Sequence, residues 1–185
     1  MKAIVFLGNP GTKYQNTRHN VAWLFADYLT QAWQCPDAFA AKPKFYAEVL
    51  SCTMAGEQLF LVKPTTFMNR SGQAVLAVKQ FYRFDESDLL IIHDDKDLSF
   101  GSIRLRTDSG SGGHNGMQDI IDRLGTKSIP RLKIGVDSQL RTEQGIDTAT
   151  FVLSAFSSQE MAELASTVFP EVLARTQTWL TTHAE

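Results

Sequence analysis

Two short runs of the chain are wholly apolar, and each runs directly into a polar cluster. Residues 3–7 precede the turn residues 8–11, and residues 89–92 precede the cluster 93–97. Apolar runs of this length, bounded by turn signals, are typical of strands that are buried on both faces. The segments between such runs carry helical spacing, so helices alternate with buried strands. This alternation predicts an α/β fold with helices packed on a central sheet.

The remaining elements follow from periodicity, turn residues and caps. A pair of strands joined across Ala55 and Gly56 makes the sheet mixed. Asn69 or Ser71 is expected to cap a helix in which Val75, Val78, Phe81 and Tyr82 face the core. We predict a single domain over 1–185 with a twisted, mixed, mostly parallel β-sheet and helices on both faces. The expected strands are 2–7, 45–52, 58–63, 89–92, 103–106 and 132–136. The expected helices are 20–33, one from about 70, and 115–124, which Gly125 closes. A last helical region begins at a Ser157–Glu160 capping box and is divided at Pro170.

Composition places the chain among ordinary globular proteins. Its 185 residues are 43% hydrophobic and 21% charged, and they contain no repeat. Cys35 and Cys52 are too few for a disulfide framework, and no apolar run is long enough for a signal peptide or a membrane span, so we expect a cytoplasmic protein. The net charge is −2, but residues 1–83 hold nine basic and four acidic side chains, so a basic patch remains compatible with this charge.

Polar side chains concentrate after the predicted strands, where α/β sheets usually carry function. A histidine acting as a base needs a carboxylate to fix its tautomer, and spacing alone does not pair the candidates. Each of these side chains is equally compatible with a structural role in a loop. The candidate bases and partners are His19, His93, His114, Asp94, Asp95 and Asp97.

Three rival chemistries fit the sequence less well. A nucleophile elbow requires G-x-S-x-G, which is absent, and residues 110–116 break the G-x-G-x-x-G spacing of dinucleotide sites. A metal hydrolase using His93, Asp94, Asp95 and Asp97 remains open, but adjacent side chains on an extended segment alternate in direction. The sequence shows no second ligand-rich motif beside them, which disfavours the metal site.

The glycines before Asn115 allow close approach of a ligand to a helix start, which suits phosphate or an oxyanion. Arg104 and Arg106 lie two apart on a predicted strand, so they share a face and are able to clamp a phosphate. A solvated edge-strand face explains the two arginines equally well. The polar residues around Gln144 and Gly145 allow a mobile loop at 141–150.

The sequence resembles the bacterial peptidyl-tRNA hydrolase family in a series of motifs that span most of the chain in the right order. These motifs are Gly8-Asn9-Pro10-Gly11 with Tyr14, Thr17-Arg18-His19-Asn20, Lys63-Pro64-Thr65-Thr66-Phe67-Met68-Asn69 with Ser71-Gly72, His93-Asp94-Asp95 with Asp97-Leu98, Gly112-Gly113-His114-Asn115-Gly116, and Ile134-Gly135.

The resemblance implies an esterase without cofactor or metal. Such an enzyme cleaves the ester between a peptide and the 3′-ribose of tRNA, and it releases tRNA for reuse in translation. By this resemblance, His19 is the general base and Asp94 orients it. The other implied site residues hold the substrate near the scissile carbonyl (Asn9, Asn69), position the water or the nucleotide end (Asn115), contact the tRNA end (Tyr14, Phe67) and line the peptide channel (Met68). We expect peptidyl-tRNA as the partner, no membrane, and a monomer.

Some positions depart from the family pattern. Ala22 stands where a glycine is usual, and Lys96 occupies a typically apolar position. Asp137-Ser138-Gln139 replaces a small basic turn, which puts tRNA affinity in doubt. The expected RNA footprint is Arg104, Arg106, Arg131 and Lys133. The alternative from another class is a catalytically weak RNA- or peptide-binding module, but such a module has little use for a base with its orienting partner.

Overall fold

Seven strands form one sheet in the computed structural model, which describes residues 1–54 and 56–182. The sheet order is β2-β3-β4-β1-β5-β7-β6. The four central strands β4, β1, β5 and β7 are parallel, and β2, β3 and β6 pair antiparallel at the flanks, which confirms a mixed sheet. The strands are β1 (Lys2–Phe6), β2 (Ala40–Lys42), β3 (Ala47–Met54), β4 (Glu57–Pro64), β5 (Leu89–Ser99), β6 (Ile103–Asp108) and β7 (Ser128–Asp137).

The helices follow the predicted signals at several ends. Gly125 closes α3 in the left-handed region with φ 70°, and Ser157 and Glu160 form the expected capping box. A π-helical turn, Leu164–Val168, interrupts the last helical region just before Pro170, whose missing N–H cannot continue the ladder. The helices are α1 (Val21–Ala32), α2 (Ser71–Tyr82), α3 (Asn115–Leu124), α4 (Gln139–Gln144), α5 (Thr148–Val152), α6 (Ser158–Glu163) and α7 (Phe169–Thr182).

Helices cover both faces of the sheet, as predicted. Successive residues of β1 point to opposite faces: Ile4 and Phe6 pack with α1, α5 and α7, whereas Ala3 and Val5 pack with α2 and α3. The carboxyl ends of β1, β4 and β5 meet at one edge between these layers. This edge is where the polar clusters of the sequence come together.

Strand β5 is longer than the sequence indicates. Residues 93–97 were expected in a loop after 89–92, but β5 continues to Ser99 and pairs with β7 from Ile91 to Asp95. The cause is tertiary, because hydrogen bonds to a neighbouring strand outweigh the low strand propensity of aspartate. Gly135 permits this close approach, since a Cβ there would lie 2.2 Å from the Ser99 carbonyl oxygen.

Several local predictions were wrong. Arg70, and not Asn69 or Ser71, precedes α2 as its N-cap without a side-chain cap, because the Ser71 hydroxyl donates to the Met68 carbonyl. Phe81 is 57% exposed, and the Lys44 ammonium lies 3.7 Å from its ring centre. The strand expected from residue 45 begins at Ala47, because Pro43–Phe45 forms a 3-10 turn.

Two further predictions concern a mobile loop at 141–150 and a turn across Ala55 and Gly56. Residues 141–150 contain the end of α4 and the start of α5, separated by a turn at Gly145. Ala55 of the predicted turn lies outside the described residues. Across the described part of the chain, no helix has the length and apolarity that crossing a bilayer requires.

Candidate active site

His19 and Asp94 form a hydrogen-bonded pair at the carboxyl edge of the sheet. His19 lies in a 3-10 turn that leads into α1, and Asp94 lies on β5. The His19 Nδ1 atom is 2.8 Å from Asp94 Oδ1. Because an ionised carboxylate only accepts hydrogen bonds, Nδ1 carries the proton and Nε2 keeps its lone pair. His19 is therefore held in the tautomer that suits a general base.

A second imidazole shares the same carboxylate oxygen. His114 Nε2 lies 2.9 Å from Asp94 Oδ1, and its Nδ1 accepts the Met117 amide N–H at 3.2 Å. These two contacts assign the ring as neutral, with its proton on Nε2. Asp94 is thus fixed by donors from two segments, and its position determines that of His19.

The contacts within this cluster lower the pKa of Asp94 and raise the pKa of His19. Burial disfavours the charged forms of Asp94 and His19, but the pairing between them outweighs the effect of burial. His19 and His114 hold the pKa of Asp94 far below its usual range, so the carboxylate is ionised. Burial lowers the pKa of His19, but the charge and hydrogen bond of Asp94 raise it more, and the net pKa lies above the ordinary value of 6.5.

The structure removes the other candidate pairs. His93 Nδ1 donates to the Asp94 main-chain carbonyl, its side chain is 1% exposed, and burial holds its pKa well below the ordinary value. Asp95 accepts a hydrogen bond from Lys133, and Asp97 accepts hydrogen bonds from Lys96. Asp94 is therefore the carboxylate that pairs with candidate bases, and its partners are His19 and His114. Because the second ring nitrogen of His114 already accepts the Met117 amide, His19 remains as the candidate base.

Asn9 is oriented from both ends. The Asn20 carboxamide accepts from the Asn9 amide N–H at 2.9 Å and donates to the Asn9 carbonyl at 3.0 Å. The Asn9 side-chain oxygen accepts the Met68 amide N–H at 2.8 Å. Because that oxygen is engaged, the Nδ2 amide is the group of Asn9 that remains to donate to a ligand.

Two adjoining cavities meet at His19. The first, the Asn9 cavity, has a volume of about 240 Å³ and brings together the predicted residues Asn9, Met68, Asn69 and Asn115. The second, the His19 cavity, has a volume of about 180 Å³ and extends past Asp94 toward the glycine loop before α3. Both cavities are closed on one side by Ala149 and Val152 of α5. A ligand that fills both cavities therefore passes directly over His19.

Tyr14 and Phe67 form an aromatic pair at the mouth of the Asn9 cavity. Their ring centres lie 6.4 Å apart in an edge-to-face arrangement. Phe67 is exposed and lines the cavity, and Met68 is buried behind it. Exposed aromatic faces of this kind suit the stacking of a base.

The histidines and the aspartate also bear on the metal alternative. One ligand atom each of His19, Asp94 and His114 lies within 4.8 Å of the others, so the fold supplies the second ligand segment that the sequence did not show. However, both nitrogens lie at ordinary hydrogen-bond distances of 2.8 and 2.9 Å from the same Asp94 oxygen, so each carries its proton at the position that a metal ion would occupy. Metal binding would require both protons to leave, so this donor set favours a hydrogen-bonded cluster.

The predicted basic residues have different environments. Arg104 and Arg106 are exposed on the edge strand β6, and Arg104 pairs in register with Lys133. Lys133 Nζ would lie 3.9 Å from a Cβ on Gly112, so it reaches the glycine loop. The structure corrects the prediction that Arg131 belongs to the RNA footprint. Arg131 is 0% exposed, and its guanidinium donates to the main-chain carbonyls of Ile129, Gly110 and Lys127. It is therefore a structural residue.

Sequence reasoning missed three parts of the site. Asn20 and the double use of Asp94 by His114 depend on contacts between distant segments, although both residues stand in quoted motifs. The residues of α5 carry no local signal, because a five-residue helix has no periodicity to detect. They were detectable only as neighbours of His19 in space.

Comparisons with known proteins agree with this geometry. The family model described as peptidyl-tRNA hydrolase matches residues 3–185. The chain is 40% identical to the peptidyl-tRNA hydrolase of Brevibacillus brevis over 168 residues, which cover 91% of this chain and 86% of that one. It is 45% identical to the enzyme of Neisseria meningitidis serogroup A over 136 residues, or 74% and 70% of the two chains.

A solved structure gives the same result. The crystal structure of peptidyl-tRNA hydrolase from Acinetobacter baumannii superimposes with a TM-score of 0.86 at 32% identity, covering 98% of this chain and 89% of that one. The match therefore includes the sheet, the helices and the edge that carries His19 and Asp94. The chain belongs to the peptidyl-tRNA hydrolase family.

Proposed function

We propose that this protein hydrolyses the ester between the peptide and the 3′-ribose of peptidyl-tRNA and releases free tRNA for translation. The observation that carries the proposal is the His19–Asp94 pair, whose imidazole lines one cavity together with Asn9, Asn69 and Asn115. A base with an orienting carboxylate and nearby amide donors is the equipment that ester hydrolysis requires. The enzyme would act in the cytoplasm, as a single-domain monomer.

In the proposed mechanism, His19 Nε2 takes a proton from water as the water oxygen attacks the ester carbonyl carbon. Asp94 stabilises the imidazolium that forms. The tetrahedral intermediate then breaks its bond to the ribose oxygen, and His19 returns the proton to that oxygen. The tRNA leaves with its hydroxyl restored, and the peptide leaves as a carboxylic acid that releases its proton to solvent. No nucleophilic serine or cysteine takes part.

The carboxamides would bind the reacting ester. Asn9 has only its Nδ2 amide available, so it is suited to donate to the oxygen that gains negative charge. Asn69 and Asn115 are exposed and line the same cavity as His19, where they are able to position the substrate and the water. The loss of one such donor typically costs about 10²–10³-fold in turnover.

The tRNA would contact the protein on two sides of this centre. Tyr14 and Phe67 offer a stacking surface for the end of the tRNA, and Met68 lines the path of the peptide. Arg104, Arg106 and Lys133 lie toward the glycine loop at the start of α3, where phosphate is favoured. Arg131 is left out of this footprint because it is buried.

The test is a turnover assay on a blocked aminoacyl-tRNA with identification of both products. We expect many turnovers per enzyme, with free tRNA and the blocked amino acid as products, and unchanged rates after dialysis against a chelator. His19→Ala should still bind the substrate without releasing tRNA. Tight binding without cleavage by the unaltered protein would identify a binding module, and chelator-sensitive activity restored by zinc would identify metal chemistry.

A further inference from the structure

Arg18, the residue before His19, has a buried side chain that makes an ion pair with a distant helix. It is 5% exposed, and its Nη1 and Nη2 atoms donate to the two carboxylate oxygens of Glu160 at 2.9 and 3.0 Å. Burial raises the pKa of Glu160, but the hydrogen bonds from Arg18 and Ser157 lower it more, so the carboxylate is charged. This parallel two-bond geometry is among the strongest that proteins form between side chains.

The same guanidinium packs against two aromatic rings, one within α5 and one that follows this helix. Its central carbon lies 4.6 Å from the ring centre of Phe151 and 5.0 Å from that of Phe156. The main chain adds two bonds at the same place, from the Arg18 amide to the Ser154 carbonyl and from the Phe156 amide to the Asn16 carbonyl, each 3.0 Å long. Arg18 is therefore the charged centre of the joint between the His19 turn and residues 151–160.

Helix α5 depends on this joint for its position. It has five residues, of which only Phe151 and Val152 are buried, and a helix so short is not stable alone. Three of its residues, Thr148, Ala149 and Val152, line the cavity beside His19. A loss of the Phe151 contact would thus move or loosen one wall of the site.

We propose that the Arg18–Glu160 ion pair is a clasp that holds α5 as a closed wall over the His19 cavity, so that Arg18 is a positioning residue for substrate binding. The consequence for substrate rests on the proposed function. The pair does not touch the catalytic groups, since the hydrogen bonds of His19 run to Asp94 on β5. The clasp therefore affects how well substrate is held more than how fast the bond is broken.

Two substitutions weaken the clasp in different ways. Glu160→Gln removes the charge but keeps an oxygen for the Ser157 capping box, so α6 should still form. Arg18→Lys keeps the charge but loses the two-bond geometry and the flat contact with both rings. The matched control is Glu171→Gln, which removes the charge from an exposed Arg175–Glu171 pair on α7.

Hydrogen exchange tests the clasp without any substrate. In both clasp variants, amides of residues 150–156 should lose about tenfold of their protection, whereas amides of β1 and β5 should keep theirs. The control should change neither region. Equal loss of protection in the sheet and in α5 would show a general stabilising role, and unchanged protection at 150–156 would show no clasp. Either result would overturn the proposal.

Kinetics test the consequence for the site. KM for a blocked aminoacyl-tRNA should rise about tenfold in Glu160→Gln and Arg18→Lys, with kcat and the pH profile nearly unchanged. A fall in kcat with a shifted pH profile would mean that Arg18 acts on His19, against the proposal. An unaltered protein that cleaves no peptidyl-tRNA would refute the proposed function alone, and the exchange experiment would still decide the clasp.

Discussion

Asp94 controls the site at the residue scale because one oxygen serves two imidazoles. His19 receives its tautomer and its raised pKa from this carboxylate, and His114 holds the carboxylate from the other side. A single negative charge therefore sets both the orientation and the basicity of the proposed base. The raised pKa also means that His19 is protonated at low pH, where it cannot accept a proton from water.

Replacement of that charge should change the pH dependence of the reaction. Because Asp94 raises the pKa of His19 above 6.5, the acid limb of kcat/KM in the unaltered enzyme should lie above that value. In Asp94→Asn the limb should move to lower pH, and the plateau should fall about 10²–10⁴-fold because the tautomer is no longer fixed. Rates measured from pH 5 to 9 check both effects. A limb that stays in place would assign it to another group.

At the scale of elements, α2 and α3 meet at a contact that leaves no room for a side chain. A Cβ on Gly72 would lie 2.5 Å from the Asp119 carbonyl oxygen, and the Gly72 amide donates to the Asp119 carboxylate. Both helices begin beside the site, since α3 begins at Asn115 and α2 begins at Ser71, two residues after Asn69. Their packing therefore sets the distance between two of the proposed substrate-binding residues.

Gly72→Ala should push these helices apart and reduce the free energy of unfolding by about 1–3 kcal/mol. Gly110→Ala is the matched control, since no atom lies within 4 Å of a Cβ at that position. Urea denaturation of the three proteins measures the difference. Equal stability of both variants would show that α2 and α3 adjust without cost.

Strand β6 and the start of α3 carry the proposed phosphate contacts. Replacing Arg104 or Arg106 with Ala should raise KM for full-length tRNA substrates, and each loss should flatten the log–log salt dependence of binding by about one unit. A minimal ester substrate without the tRNA body should be almost unaffected. Arg175→Ala on α7 is the control. Unchanged salt dependence in the double variant would transfer the role to other residues, with Lys133 the nearest.

The elements differ in how far they could be predicted. Both ends of α3 could be predicted, because Gly125 and the glycine loop are local signals that the structure uses. The extension of β5 through Asp94 could not, since it depends on pairing with β7. The predicted N-cap of α2 was wrong for a local reason, because the Ser71 hydroxyl donates to the Met68 carbonyl of the preceding 3-10 turn.

At the scale of the whole molecule, the fold brings five separate motifs to one edge of the sheet. The resemblance of the motifs to a known family was enough to predict His19, Asp94 and the three asparagines as site residues, and the structure places them together. The buried position of Arg131 and the wall formed by α5 required three-dimensional contacts that carry no sequence signal. Charge is distributed unevenly along the chain, since residues 1–83 hold nine basic and four acidic side chains and residues 134–185 hold two basic and seven acidic ones.

The central claim is that His19 and Asp94 act as one catalytic unit. The most direct test is the single-turnover rate of cleavage of a blocked aminoacyl-tRNA by the unaltered enzyme, His19→Ala, Asp94→Asn and the double variant. Each single change should lower the rate about 10²–10⁴-fold, and the double variant should be little slower than His19→Ala alone. Losses that multiply, or a His19→Ala rate near that of the unaltered enzyme, would contradict the account.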